Sequence, residues 1–413
     1  MGTSEDGNDP QQGNNTIGHH IGNQSRNNSA SQRQIQENSN TGEQTTVVPQ
    51  SMFPNASNFT MTGVTISNVG RDFIQTTNNN FGVPANEKAE ILKELKEKLN
   101  PIAKPARKTD ICLEGTRVKI LNDLCNWVID PNTTIAWIYG IAGTGKSAIA
   151  VSLARKIRKI DTKKEVKLAL TFHCVKGQET SDVCNLVPTL SYYLAQVFPE
   201  YGKGLLESLN RDPSLDGISL PLSEQLEWFL DPSLFGKLIN KSSEKVVIII
   251  IDGLDEWGSD SHRSELLRHF KALFQFAWLK IVVTSRPNPE IREELMGELA
   301  IRKINLTDYI DTADDLKRLI MSKLPFITNE KVNNMLAKAN GLFIWVTTAL
   351  TFIRKGVDKD GRLEIILDLQ TSTKDELQPY EPLYLLYKTV LTESFSQPDN
   401  LKYLKAVVGQ FLQ

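Results

Sequence analysis

The chain has 413 residues, 40% of them hydrophobic and 23% charged, enough for two or three domains and a substantial buried core. A formal charge of −2 excludes bulk electrostatic attraction to nucleic acid, so no nucleic-acid partner is expected. Cys112, Cys125, Cys174 and Cys184 form no CxxC pair and have no histidine at zinc spacing, which excludes a disulfide scaffold or a zinc knuckle.

The longest apolar run, Val246 to Ile251, is six residues, against the ~20 that span a bilayer. No basic and then apolar leader opens the chain, so a cytoplasmic protein without a membrane span is expected. The composition is uneven along the chain. Residues 1–50 hold seven hydrophobic residues and no aromatic one, and residues 1–80 hold 23 Asn plus Gln and no lysine. Such a segment cannot bury enough apolar surface to offset its ordering entropy, and residues 1–82 read as a disordered tail. Within it, residues 51–70 alternate Phe59-Met61 and Val64-Ile66 between Gly63 and Gly70. That strand periodicity fits either a docking strand or a short self-assembling cross-β element.

From Glu87 to Asn100 the period becomes helical, with Ile91, Leu92, Leu95 and Leu99 on one face and Pro101 beyond the stop. Pro101 to Lys108 is a basic, proline-containing linker, and a second amphipathic helix carries Val118, Ile120, Leu121, Leu124 and Trp127. Strands are predicted over 135–139, 166–174, 246–251 and 281–284, with helices over 147–157 and 187–197 between them. After about residue 305 only helical segments follow: 311–324, 330–338, 341–354 and 382–393. Continuous β-branched strands alternating with helices indicate a parallel sheet covered on both faces.

The most informative eight residues are Gly140-Ile-Ala-Gly-Thr-Gly-Lys-Ser147, a complete GxxxxGK[ST] pattern between a strand and a helix. Gly140, Gly143 and Gly145 let the backbone wrap phosphates, and Thr144 lies in the same loop. Lys146 reaches the β and γ phosphates, and the Ser147 hydroxyl ligates Mg²⁺. A second magnesium group is expected at the end of a neighbouring strand, where Asp252 follows Val246–Ile251 as a Walker B carboxylate. Asp255 and Glu256 are candidates to orient or deprotonate an attacking water. A third strand ends in Thr284-Ser285-Arg286-Pro287, where Arg286 is either a γ-phosphate ligand or a surface arginine. The fold class is therefore α/β: a P-loop NTPase parallel sheet with helices on both faces, preceded by a disordered tail and followed by a helical module. The expected boundaries are 1–82 tail, 83–134 helical lead-in, 135–305 NTPase domain, and 306–413 helical module.

In order, GIAGTGKS, IIIIDGLDEW and KIVVTSRPNPEI resemble the NACHT-type NTPases of the STAND class, and most closely the fungal group with a nephrocystin-3-like N-terminal domain. Cys112-Leu-Glu-Gly-Thr-Arg117, Asn340-Gly-Leu-Phe-Ile-Trp345 and the tract Phe53 to Gly70 are also similar to stretches of that group. The resemblance implies an ATP/ADP signalling switch with bound Mg²⁺, slow hydrolysis, and homo-oligomerisation on activation. Carried over by position, Lys146 and Ser147 hold phosphate and metal, Asp252 is Walker B, Asp255 and Glu256 flank catalysis, and Arg286 is sensor 1. Arg117 would line the nucleotide pocket; read from the residues alone, it could equally be a helix-start salt bridge. ATP over GTP comes from the resemblance, although no guanine-reading Asn-Lys-x-Asp is evident.

Two departures stand out. Gly341-Leu342-Phe343 lacks the proline of the Gly-x-Pro element found in related ATPases. The resemblance also implies a C-terminal repeat sensor, which this sequence does not contain; the 306–413 module is expected to be winged-helix-like and truncated. The competing readings are a non-catalytic, nucleotide-stabilised scaffold that assembles through its N-terminal segment, and an AAA+-like motor. His173, Trp278, Phe343 and Trp345 read as packed core residues.

Overall fold

The computed structural model describes residues 83–106, 108–160, 166–211, 219–232, 235, 246–369 and 381–394. The expected tail 1–82 and its 51–70 tract lie outside the described residues.

Five strands form one parallel sheet: β1 (Ile135–Tyr139), β2 (Val166–His173), β3 (Val246–Asp252), β4 (Leu279–Ser285) and β5 (Ile301–Asn305), in the order β2-β3-β4-β1-β5. Four were legible as apolar runs. β5 was not, because this edge strand carries Arg302 and Lys303 and only Ile301 is fully buried in it. In register, His173 faces Asp252, Asp252 faces Thr284, and Ser285 faces Tyr139, so the polar strand ends line up along one edge of the sheet.

The isoleucine run shows why both faces are covered. Side chains alternate across a strand, so Val247, Ile249 and Ile251 enter one core while Ile248 and Ile250 enter the other. The first core is closed by α1 (Ala85–Leu99), α4 (Val183–Val197), α5 (Pro199–Arg211), α6 (Leu222–Phe229) and α7 (Asp260–Ala272). The second is closed by α2 (Val118–Trp127) and α3 (Lys146–Ile160). α8 (Pro289–Met296) sends Ile291 and Leu295 into the first core.

Pro188 inside α4 lacks an N–H and frees the carbonyl of Cys184, four residues earlier. The buried Gln225 side-chain amide donates to that carbonyl at 3.4 Å, compensating for the lost helical bond. On the second face, the Lys280 ammonium donates to the Asp130 and Thr133 carbonyls, pinning the turn that leads into β1; burial pushes it below the usual lysine range.

Beyond β5, the described residues hold five helices and no strand: α9 (Thr312–Lys323), α10 (Asn329–Ala339), α11 (Phe343–Lys355), α12 (Lys359–Leu367) and α13 (Glu381–Ser394). They enclose their own core around Leu316, Ile320, Met335, Trp345, Val346 and Ile366. Leu113 of the lead-in and Ile141 of the phosphate loop pack against this cluster, so the helical module rests on the nucleotide-motif edge of the sheet. Trp345 is fully buried, and Trp278 sits edge-on to Phe198 with ring centroids 5.1 Å apart; both are packing residues, as expected. No described helix is long and apolar enough to cross a membrane.

Ile250 is fully buried in β3, an interior strand, on the face of the sheet that α2 and α3 cover. Replacing Ile250 by Ala is expected to cost about 2–5 kcal/mol, read as a lowered midpoint in thermal or urea unfolding.

Candidate functional site

The loop after β1 turns through Gly143 (φ 85°) and Gly145 (φ 92°), conformations that only glycine adopts without strain. The Thr144 hydroxyl donates to the Ile141 carbonyl at 2.9 Å and locks the turn from inside. α3 begins at Lys146, so its N-terminal amides and dipole are directed at the loop. The Lys146 ammonium folds back to donate to the carbonyls of Gly140 (2.7 Å) and Ile141 (2.9 Å). Burial pushes it down to about 8; Asp255 and Asp252 oppose the shift, while Arg286 and Lys108 add repulsion. A depressed lysine among two further cations gains strongly from an anion.

Asp252 ends β3 with no solvent exposure. One carboxylate oxygen accepts from the Thr284 hydroxyl at 2.5 Å, and the Thr284 hydroxyl in turn accepts from Gly253 N–H at 3.0 Å. The other oxygen accepts from the Lys108 ammonium at 2.8 Å, and the same ammonium donates to Ser147 Oγ at 3.0 Å. Ser147 and Asp252, the two expected metal ligands, are therefore brought together around one cation-sized position. Their hard oxygen donors suit Mg²⁺, which takes few protein ligands and completes its shell with phosphate oxygens and water.

In the sequence Lys108 belongs to a basic linker, and nothing local marks it. Its placement comes from backbone pairing: His173 N–H donates to the Pro105 carbonyl at 2.9 Å, and Lys108 N–H donates to His173 Nδ1 at 2.7 Å. His173 is thus both a packed strand end and the anchor of the lead-in.

Asp255 and Arg286 come together. Arg286 N–H donates to Asp255 at 2.9 Å, and its guanidinium lies 3.3 Å from the other carboxylate oxygen. Asp255 is almost buried, while the Arg286 side chain is 53% exposed. Glu256 turns away from this pair and accepts from Lys176 N–H at 3.1 Å.

Arg117 is bound from three directions. It is a non-glycine residue at φ 55°, and its backbone N–H donates to Asp315 at 3.0 Å. Its guanidinium donates to the Thr144 carbonyl at 3.0 Å and the Thr312 hydroxyl at 3.1 Å, and lies 4.6 Å from the Phe343 ring centroid. Arg117 starts α2 with an acidic partner, and it also reaches the backbone of the 140–147 loop at Thr144. Burial pulls the Arg117 guanidinium down and pushes the Asp315 carboxyl up. Next to it, a mostly apolar cavity of about 510 Å³ is lined by Cys112, Leu113, Arg117, Gly145, Leu319 and Phe343. Phe343 therefore faces a cavity as well as packing. The helical module also touches the loop backbone: Ile344 N–H donates to the Gly143 carbonyl at 3.1 Å, and a Cβ on Gly143 would stand 2.2 Å from Ile344 Cγ2.

Residues 115–286 match the model of the nephrocystin 3 N-terminal family. That stretch runs from Gly115, two residues before Arg117, to Arg286. No curated protein matches the chain. Among solved structures, a Walker-type ATPase of Pyrococcus abyssi is similar at 17% identity and a TM-score of 0.39, over 65% of this chain and 75% of that one. The Aeropyrum pernix ORC1 protein in complex with DNA matches at 15% identity and 0.37, over 70% of each chain. AMPPCP-bound DnaA from Aquifex aeolicus matches at 13% identity and 0.33, over 62% of this chain and 65% of that one.

Arg117→Ala removes a buried cation from Asp315, from the Thr144 carbonyl and from Phe343. It is expected to cost about 3–5 kcal/mol of stability. Hydrogen exchange should rise in α9 and at residues 340–345 well before it rises in β3, as read by mass spectrometry.

Proposed function

We propose that the chain is a nucleotide-dependent switch of the NACHT/STAND type, with ATP or ADP and Mg²⁺ held at the loop 140–147 and slow hydrolysis controlling oligomerisation. The observation that carries this reading is the joint between the phosphate loop and the helical module. Arg117 donates to both Thr144 and Thr312, and Ile344 bonds Gly143. A loop built to grip phosphate and fastened in this way to another module couples what it binds to where that module sits.

Within this reading, Gly140, Gly143, Thr144, Gly145 and Lys146 hold the phosphates, and Ser147 and Asp252 hold the metal. The ion would neutralise phosphate charge and orient the terminal phosphoryl group. Arg286, half-exposed beside Lys146, is the γ-phosphate contact. The 510 Å³ cavity beside Gly145 takes the nucleoside, with Phe343 and the Arg117 plane as stacking surfaces. The domain division at 135–305 and 306–413 and the cytoplasmic location belong to the same proposal.

One observation favours the second reading, a scaffold that keeps its nucleotide without turning it over. Asp255 is tied to Arg286 and Glu256 to Lys176 N–H, so each carboxylate is already engaged by a partner within the chain. Slow hydrolysis follows if one of them must be released first.

Fluorescent-nucleotide titration tests the site. The wild type should bind ADP and ATP with Mg²⁺, and Lys146→Ala should weaken binding about ten- to hundredfold, the worth of a charged phosphate contact. Asp252→Asn should lose the magnesium dependence of binding. Equal binding by Lys146→Ala and wild type would overturn the phosphate assignment. Single-turnover hydrolysis separates the two readings: Glu256→Gln or Asp255→Asn lowers a measurable rate in a switch and changes nothing in a scaffold. Light scattering should show larger species with a non-hydrolysable ATP analogue than with ADP.

A further inference from the structure

The metal position expected from Ser147 and Asp252 is bridged by a cation that the chain itself supplies. Lys108 Nζ lies 3.0 Å from Ser147 Oγ and 2.8 Å from Asp252 Oδ2. We propose that Lys108 is an intrinsic counter-ion for the metal-free site. Mg²⁺ entering with nucleotide expels it, so the lead-in segment 101–108 changes its attachment with the metal state of the site. This inference rests on the reading of 140–147 and Asp252 as a nucleotide site.

Three features support it. Asp252 is fully buried, and a buried carboxylate without a cation is costly, so the site needs positive charge whenever metal is absent. A lysine ammonium and Mg²⁺ cannot share the same two oxygens at 3 Å, because both are cations and both require those lone pairs. Finally, Lys108 can leave: its side chain is 30% exposed, in contrast to the fully buried Asp252.

Few of the described hydrogen bonds hold the segment that delivers Lys108, and its buried anchors are Ile102 and Pro105, which gives the exchange a consequence for the residues beyond them. His173 makes two bonds to it, one to the Pro105 carbonyl and one from Lys108 N–H. Ile102 N–H adds a bond to the Thr189 hydroxyl near the end of α1. The Lys108–Asp252 pair is the charged tether among these contacts. Losing it leaves neutral bonds worth about 1 kcal/mol each, so the chain around Lys108, beyond the buried Pro105, should loosen while Ile102 and α1 stay packed. Metal occupancy at one end of β3 is thereby passed to the chain that runs up to α1.

The test is a magnesium titration of full-length protein with a fluorescent ADP analogue, with hydrogen exchange as a second readout. Lys108→Met keeps the apolar stem and removes the competitor, so half-saturation should need about tenfold less Mg²⁺ than the wild type. Lys108→Arg keeps a cation and should need at least as much as the wild type. In wild-type protein, exchange at 101–108 should rise with Mg²⁺–ADP and stay low with ADP and chelator. An unchanged midpoint in Lys108→Met overturns the proposal. A raised midpoint also overturns it, because Lys108 would then be helping to bind phosphate. If Lys108→Met fails to fold, the wild-type exchange decides, and no rise at 101–108 overturns the proposal. Absence of any nucleotide binding by the wild type would instead remove the reading of the site on which the inference stands.

Discussion

A single buried carboxylate organises the nucleotide-motif edge of this molecule. Asp252 stands at the end of six apolar residues with no solvent exposure, and its carboxylate draws partners from separate parts of the chain. Thr284 of β4 donates to one oxygen, Lys108 of the lead-in donates to the other, and Ser147 of α3 shares that lysine. Three otherwise separate parts of the chain meet because one negative charge in a low-dielectric place demands partners. Under the proposed function, a divalent ion beside a phosphate chain would meet the same demand, and the fold's electrostatic need and that chemistry would coincide at one point.

A second buried charge performs the equivalent task on the other side of the phosphate loop. Arg117 has no strand to end, so its position is set by its own partners: an acidic residue on α9, a backbone carbonyl of the loop and an aromatic ring on α11. A guanidinium suits this place because its planar fork can satisfy separate acceptors while its face stacks, which an ammonium cannot do. The helical module is thus joined to the sheet through polar and charged contacts as well as through Leu113 and Ile141, and polar contacts can be exchanged for others at modest cost.

Much of this was legible in the sequence where the signal is local. The glycine-rich loop, the isoleucine run and its terminal Asp252, and the helical periods after residue 305 all express rules that act over a few residues. β5 escaped because an edge strand needs only one buried face, and Arg302 and Lys303 mask its period. The helices α5, α6, α7, α8 and α12 are also missing from the sequence reading, although α5 carries Tyr201, Leu205, Leu206 and Leu209 at helical spacing. The contacts that complete the site escaped for a different reason. Lys108 and Asp252 are 144 residues apart, Thr284 and Asp252 are 32 apart, and Arg117 and Asp315 are 198 apart, so no local pattern pairs them. Lys108 in particular owes its role to where His173 holds its backbone, which no property of the linker announces.

The strand order has a further consequence. β4 lies between β1, which launches the phosphate loop, and β3, which ends in Asp252. Neighbouring strands are spaced about 4.8 Å, so β1 and β3 run roughly 10 Å apart with a strand as the gauge between them. Trp137 of β1 donates to Ser285 Oγ, and Thr284 donates to Asp252, so consecutive residues of β4 grip the neighbour on either side. β4 therefore works as a caliper. It sets the spacing between the strand that launches the 140–147 loop and the strand that ends in Asp252, and any shift of that one strand changes this spacing from the inside.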